Sequence, residues 1–144
     1  NDPTAIVDIR MEGWDLFVDL LCYEQGLLNS HIADYLNANA LNRVITVCDS
    51  AEQKSIVELQ QKHIKAIPCV KGRGSVAAGI AQVKQFKLHV TKRSVKLLDE
   101  LDNYKWIKDE VSDTYTNEAI DAWNHALDAL RYGVDFLIRK YRPK

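Results

Sequence analysis

Thr4-Ala5-Ile6-Val7-Asp8-Ile9-Arg10 and Trp14-Asp15-Leu16-Phe17-Val18-Asp19-Leu20-Leu21-Cys22-Tyr23, separated by Glu12-Gly13, are the stretch that decides the fold. Both runs are rich in β-favouring residues and largely alternate in polarity. A glycine between two such runs is the mark of an antiparallel hairpin. Downstream the period changes. After Gly26 a helix is expected from Asn29 or Ser30, either of which can cap it, to about Asn39, with Ile32, Ala33 and Leu36 at helical spacing. Arg43-Val44-Ile45-Thr46-Val47-Cys48 is a short continuous apolar run that suits a central parallel strand. A helix over Ala51 to His63, a strand over Ala66 to Val70, and a helix opening at Gly74-Ser75 and running to about Gln85 follow. A strand at Lys87 to Val90, a helix from Ser94 to about Asp102 and a long last helix from about Asn117 to Arg139 complete the order. Strands alternating with helices after an opening hairpin indicate a mixed α/β sheet flanked by helices.

The 144 residues suffice for one domain with a real core, residues 1–144 forming a single unit with no repeat and no linker. No apolar run approaches the roughly 20 residues that span a bilayer, which argues against a membrane role. Net charge is −1, so attraction to nucleic acid has to come from a local basic patch. Lys62, Lys65, Lys71, Arg73, Lys84, Lys87, Lys92, Arg93 and Lys96 supply one in the middle third. Cys22, Cys48 and Cys69 are odd in number, widely spaced and set in apolar stretches, which reads as buried free thiols in a reducing compartment. No zinc spacing is present.

Three places can carry chemistry. Asp49 stands directly after a predicted central strand, where open α/β sheets place ligands; it can equally cap the helix that follows. In Asn124-His125-Ala126-Leu127-Asp128-Ala129-Leu130-Arg131-Tyr132, helical geometry sets Asp121, His125 and Asp128 within roughly a 60° arc of one face. Asp128 can be satisfied by Arg131 or His125, Asp121 by the helix dipole, and His125 as a core-edge residue. If Asp49 and Asp128 converge, two carboxylates ~4 Å apart repel by ~4 kcal/mol at an effective dielectric near 20, so a cation or a proton must join them. Mg²⁺ or Mn²⁺ suits a site of a few carboxylates completed by water and phosphate. Lys71-Gly72-Arg73-Gly74-Ser75 can meet a phosphate with cations and backbone N–H groups, or be a solvated turn. It is not a P-loop, and ATP hydrolysis is unsupported.

Taken together, Asn1-Asp2-Pro3-Thr4-Ala5, Cys48-Asp49-Ser50-Ala51-Glu52-Gln53-Lys54-Ser55-Ile56, Lys71-Gly72-Arg73-Gly74-Ser75, Ser94 through Trp106 and Asn124-His125-x-x-Asp128-Ala129-x-Arg131-Tyr132 resemble one family, the nuclease domain of the large terminase subunit of tailed bacteriophages. Five motifs in order over nearly the whole chain are more specific than any one of them. Asp-Ser-Ala-Glu-Gln departs by one residue from the commoner Asp-Ser-Ala-Glu-Pro form.

The resemblance implies an RNase H-like fold and Mg²⁺- or Mn²⁺-dependent cleavage of concatemeric viral DNA, with two ions in the complete domain. Asp49 would be the second catalytic acid and Asp128 the third, His125 a positioning or proton-transfer residue and Asp121 an auxiliary metal ligand. Lys71, Arg73 and Lys84 would contact DNA, and Tyr104 to Tyr115 resembles a β-hairpin beside the site. The implied partners are double-stranded DNA and, in the full-length protein, an ATPase domain, a small terminase subunit and a portal, in the cytoplasm of a bacterial host carrying a phage or prophage. In the family the first catalytic aspartate lies on a central strand just before the Asn-Asp-Pro-Thr-Ala segment. Asp2 and Asp8 do not replace it, so the sequence is expected to hold two of three acids, to lack the first central strand, and to be weakly active or inactive alone. An open sheet edge could then drive self-association. The other readings are a non-catalytic RNase H-like module that binds DNA or a packaging partner, and another RNase H-like nuclease such as a resolvase.

Overall fold

The computed structural model describes residues 2–71, 75–111 and 124–143, without the side chains of residues 75 and 105–111. The opening hairpin forms as expected, β1 (Thr4–Glu12) antiparallel to β2 (Asp15–Glu24). Gly13 takes φ +59° in its two-residue turn, a conformation that costs glycine little and other residues more. The remaining elements are α1 (Asn29–Ala38), β3 (Ile45–Cys48), α2 (Gln53–Gln61), β4 (Lys65–Pro68), α3 (Ser75–Lys84), β5 (Lys87–Val90), α4 (Val95–Val111) and α5 (His125–Tyr141).

The strands form two pieces. β5 lies parallel to β2 in the order β1-β2-β5, and β3 lies parallel to β4. Helices cover both faces. Leu16 and Val18 of β2 bury against Ile80 and Val83 of α3, Leu97 of α4, and Leu127, Leu130 and Val134 of α5. On the opposite side Ala33, Leu36, Ile56 and Leu59 of α1 and α2 bury with Ile64 and Ala66. β1 serves both layers: Val7 joins the first core and its neighbour Ile6 the second. A strand that feeds both layers belongs inside a sheet, yet among the described residues β1 pairs only with β2 and β3 only with β4. α5 packs on β1 and on β3, so the two pieces share one backing helix. Ile45 of β3 is 37% exposed, although a parallel strand sandwiched between helices is ordinarily buried on both faces. Among the described residues no strand pairing joins β1 to β3, so the sheet stands in two pieces.

Several local expectations change. Leu41–Arg43 closes a 3-10 turn and β3 starts only at Ile45. Asn29 does not cap α1; its Nδ2 donates to Glu58 Oε2 (3.0 Å) and Ser55 Oγ (3.1 Å), tying α1 to α2. α4 runs to Val111 instead of ending near Asp102, so Tyr104 to Val111 is helix where a hairpin was expected. The rest of that expected hairpin, and the start of the last helix near Asn117, lie outside the described residues. Of the cysteines, all free, only Cys69 is fully buried.

Candidate active site

Asp49 emerges where β3 ends, and a hydrogen bond from Cys69 N–H to the Cys48 carbonyl (2.7 Å) holds the chain after β4 beside it. Its Oδ1 accepts the Ala51 N–H (3.0 Å), a local turn that leaves the following helix uncapped by it; α2 begins later, after Glu52. The cap reading of Asp49 is therefore replaced by a turn reading, and the outer part of its carboxylate remains available. Lys71 approaches the same oxygen, Nζ 2.6 Å from Asp49 Oδ1, so that oxygen takes both donors. Burial resists ionisation of Asp49, but Lys71, the Ala51 N–H and the charge of Arg131 outweigh it and hold the carboxyl below its usual range.

Asp128 lies in the first turn of α5, not deep within a helix as its spacing suggested, because Asn124 (φ −124°, ψ 32°) is not helical and the helix begins at His125. A first-turn carboxylate is favoured by the helix dipole. The helical face expected to join Asp121 to His125 and Asp128 is interrupted at Asn124, and Asp121 itself lies outside the described residues, as does Arg73. Arg131 donates to Asp128 Oδ1 at 2.5 Å. Its stem is only 6% exposed and runs over α3 at Gly79, where an added Cβ would stand 2.9 Å from Arg131 Cδ.

Tyr132 joins the two halves. Lys71 Nζ lies 5.7 Å and the Arg131 guanidinium 5.2 Å from its ring centroid. Burial first, then the carboxylates of Asp128 and Asp49, push its phenol up, with Lys71 and Arg131 opposing. A single ring thus feels both acids and both cations. The cation bonded to Asp49 at the end of β3 and the cation bonded to Asp128 on α5 thus lie over one ring, which brings the two acids into one neighbourhood. Asp49, Lys71, Asp128, Arg131 and Tyr132 form a charge-balanced cluster.

His125 makes other contacts. Its ring meets Tyr23 edge-on (centroids 6.4 Å) and its Nε2 lies 3.9 Å from Asp2 Oδ1. Lys84 packs over Tyr104, and the rest of the basic middle third is spread among separate partners: Lys65 bonds the Arg43 carbonyl, Lys96 lies over Tyr23, and Arg93 pairs with Asp19.

Sequence reasoning missed Glu100. From α4 this 4% exposed side chain reaches the start of α5, Oε1 accepting the Leu127 N–H (2.8 Å) and Oε2 the Tyr23 hydroxyl (2.9 Å). Asn124 gives no side-chain cap, so Glu100 caps α5 from another helix. Burial pushes the Glu100 carboxyl up, opposed by its N–H and hydroxyl donors and by His125. Tyr23, buried and bonded to this acid, is pushed up to about 12. Nothing local in the sequence marks Glu100, because its partners are distant along the chain.

The donor chemistry of Asp49 and Asp128 fits a hard divalent cation, since both offer carboxylate oxygen and both draw positive charge to themselves. In number the donors fall short: among the described residues no group of three or more His, Cys, Asp or Glu side chains could hold a metal ion.

Residues 1–135 match the family model described as a terminase RNase H-like domain. The fold is similar to the crystal structure of the large terminase nuclease domain from bacteriophage SPP1 with bound Mn, at 21% sequence identity and a TM-score of 0.76, over 94% of this chain and 79% of that one. A search of curated proteins gave no match.

Proposed function

The chain belongs to the terminase RNase H-like family, and from that premise we propose that it is the endonuclease domain of a phage DNA-packaging terminase, cutting concatemeric double-stranded DNA with a divalent cation. The observation that carries the proposal is that the cations bonded to Asp49 and Asp128, Lys71 and Arg131, both lie over the ring of Tyr132. The Mn in the similar SPP1 domain supports divalent metal use. Asp49 and Asp128 would hold Mg²⁺ or Mn²⁺, and a third acid would come from a strand filling the gap between β1 and β3. Such an ion, when bound, would favour deprotonation of an attacking water and stabilise the charge on the leaving oxygen.

The protein's own groups do the rest. Arg131 fixes the rotamer of Asp128 from a buried position. Tyr132 walls one side of the space between the acids. His125, anchored by Tyr23 at the head of α5, is a candidate for proton transfer to the leaving group. Lys71 brings positive charge to the rim, where a phosphate would lie. An ATPase domain, a small terminase subunit and a portal are the proposed partners, and the bacterial host cytoplasm the proposed location.

The test is Mn²⁺-dependent nicking of supercoiled plasmid by a version extended upstream of Asn1. Asp49→Asn and Asp128→Asn should each lower the rate by at least about 100-fold, beyond the usual cost of losing a residue that only supports a metal ligand. Cleavage that survives either change removes these residues from the site. The 144-residue chain alone should cut weakly or not at all.

The ion pairs on both acids also favour a second reading, a non-catalytic module that binds DNA. Millimolar Mn²⁺ giving no heat and no thermal shift in the extended protein, with DNA binding that falls steeply with salt, would select it.

A further inference from the structure

The two acids of the site are neutralised in physically different ways. Arg131 is buried, bonded to Asp128, stacked beside Tyr132 and seated in the space that Gly79 leaves by having no side chain. It cannot leave without vacating a packed channel. Lys71 reaches Asp49 with an ammonium on a four-carbon stem, and both side chains of that pair are 41% exposed. An ion pair of that exposure contributes little net stability, because solvent screens it and a long side chain must be held still. While paired with Asp49, Lys71 Nζ already lies 5.7 Å from the Tyr132 ring centroid, so it can withdraw from the carboxylate without leaving that ring.

We propose that Lys71 is an exchangeable counter-cation, occupying the Asp49 carboxylate when no metal is bound and withdrawing over the Tyr132 face when a divalent ion takes that carboxylate, while Arg131 stays fixed on Asp128. The proposal rests on the metal-site reading and adds a competition to it. Lys71 and the Ala51 N–H both take Asp49 Oδ1, and a divalent ion on either oxygen of that carboxylate stands beside the ammonium, so like-charge repulsion favours withdrawal of the lysine when the metal binds. The exchange keeps the two acids from standing uncompensated and leaves the displaced ammonium at the rim, where phosphate would arrive. Removing Lys71 should therefore strengthen metal binding, opposite in sign to the loss expected for a residue that merely supports the site.

The experiment measures free Mn²⁺ by electron paramagnetic resonance over a millimolar titration of the chain extended upstream of Asn1, with thermal melts confirming that each variant is folded. The variants are Lys71→Gln, Asp49→Asn and, as a charge control, Lys54→Gln on the exposed side of α2. The expected result is Mn²⁺ affinity about five- to tenfold tighter in Lys71→Gln, within twofold of the starting protein in Lys54→Gln, and lost in Asp49→Asn. Affinity unchanged or weaker in Lys71→Gln, with Asp49→Asn still abolishing binding, overturns the exchange and leaves the metal site standing. Equal tightening in Lys54→Gln reduces the effect to net charge and also overturns it. No Mn²⁺ uptake by any variant, or uptake indifferent to Asp49→Asn, overturns the exchange together with the metal-site reading.

Discussion

Glu100 offers the sharpest test of how the site is held. Truncation to alanine removes the acceptor for the buried Leu127 N–H and for the Tyr23 hydroxyl. A buried donor left without an acceptor costs about 1–3 kcal/mol. Asn124 offers no substitute cap, so the N–H penalty stands in full, whereas Tyr23 can turn toward water. Relief of a buried charge offsets part of the loss, leaving a net cost of about 2 kcal/mol. For a domain of this size that lowers Tm by roughly 4–8 °C, at about 2–4 °C per kcal/mol. Glu100→Gln keeps an acceptor for Leu127 and gains an NH₂ that can donate to the tyrosine oxygen, so it should cost less than half as much. The two carboxamide and carboxyl forms also differ in pH response. Burial raises the folded-state pKa of Glu100 above its unfolded value, so the folded protein binds this proton more tightly. The resulting stabilisation is complete below about pH 4.3, the unfolded value, and is lost as pH rises through the folded pKa. Melting curves of both proteins from about pH 4 to pH 8 should therefore shift in favour of Glu100→Gln as pH rises. A Tm difference that is flat with pH, or an alanine variant that melts with the starting protein, would refute the assignment of Glu100 as the cap of α5.

Other substitutions test neighbouring parts of the same account. Gly79→Ala puts a Cβ 2.9 Å from Arg131 Cδ; displacing that buried arginine should cost about 1–3 kcal/mol, as overpacking does, and weaken Mn²⁺ binding through Asp128, both readable by melting and metal titration. Ser94 is fully buried and its Oγ accepts the Leu20 N–H at 2.8 Å, so Ser94→Ala should cost about 1–3 kcal/mol in denaturant unfolding, with little effect on Mn²⁺ affinity. A synthetic β-branched peptide carrying one aspartate, matched to the strand gap, should raise Tm in a dose-dependent way if that gap accepts a strand.

Periodicity made most elements legible before the structure, because apolar spacing is a direct record of which face is buried. Boundaries moved where a local conformation intervened. Ala40 adopts a left-handed conformation (φ 58°) before the Leu41–Arg43 turn, and this takes Arg43 and Val44 out of the expected strand. Lys105 to Val111 contains no glycine or proline to stop α4, which continues through the first half of the hairpin that the family resemblance implied. Asp128 misled in the opposite direction. Its distance from Asn117 suggested mid-helix, but α5 starts at His125 and makes a first-turn acid unremarkable on its own. What gives Asp128 meaning is the tertiary meeting with Asp49, Lys71 and Tyr132, and no single stretch of sequence encodes that. Arg131 and Tyr132 did lie within the motif that carried the resemblance, and Gly79, a glycine inside a helix, was a sign of close approach. Glu100 had no such sign, being one acid among several on α4. The division of the described strands into β1-β2-β5 and β3-β4 had no mark in the sequence, because which strands pair is set by tertiary contacts and not by the pattern of any one strand.

The central claim is that Asp49 and Asp128 jointly bind a divalent cation, and anomalous scattering at the manganese edge from crystals grown in Mn²⁺ tests it most directly. The predicted map has a peak within coordination distance of both carboxylates, with Lys71 withdrawn from Asp49 toward Tyr132 and Arg131 unmoved. A map without that peak, with Lys71 still paired to Asp49, would contradict it.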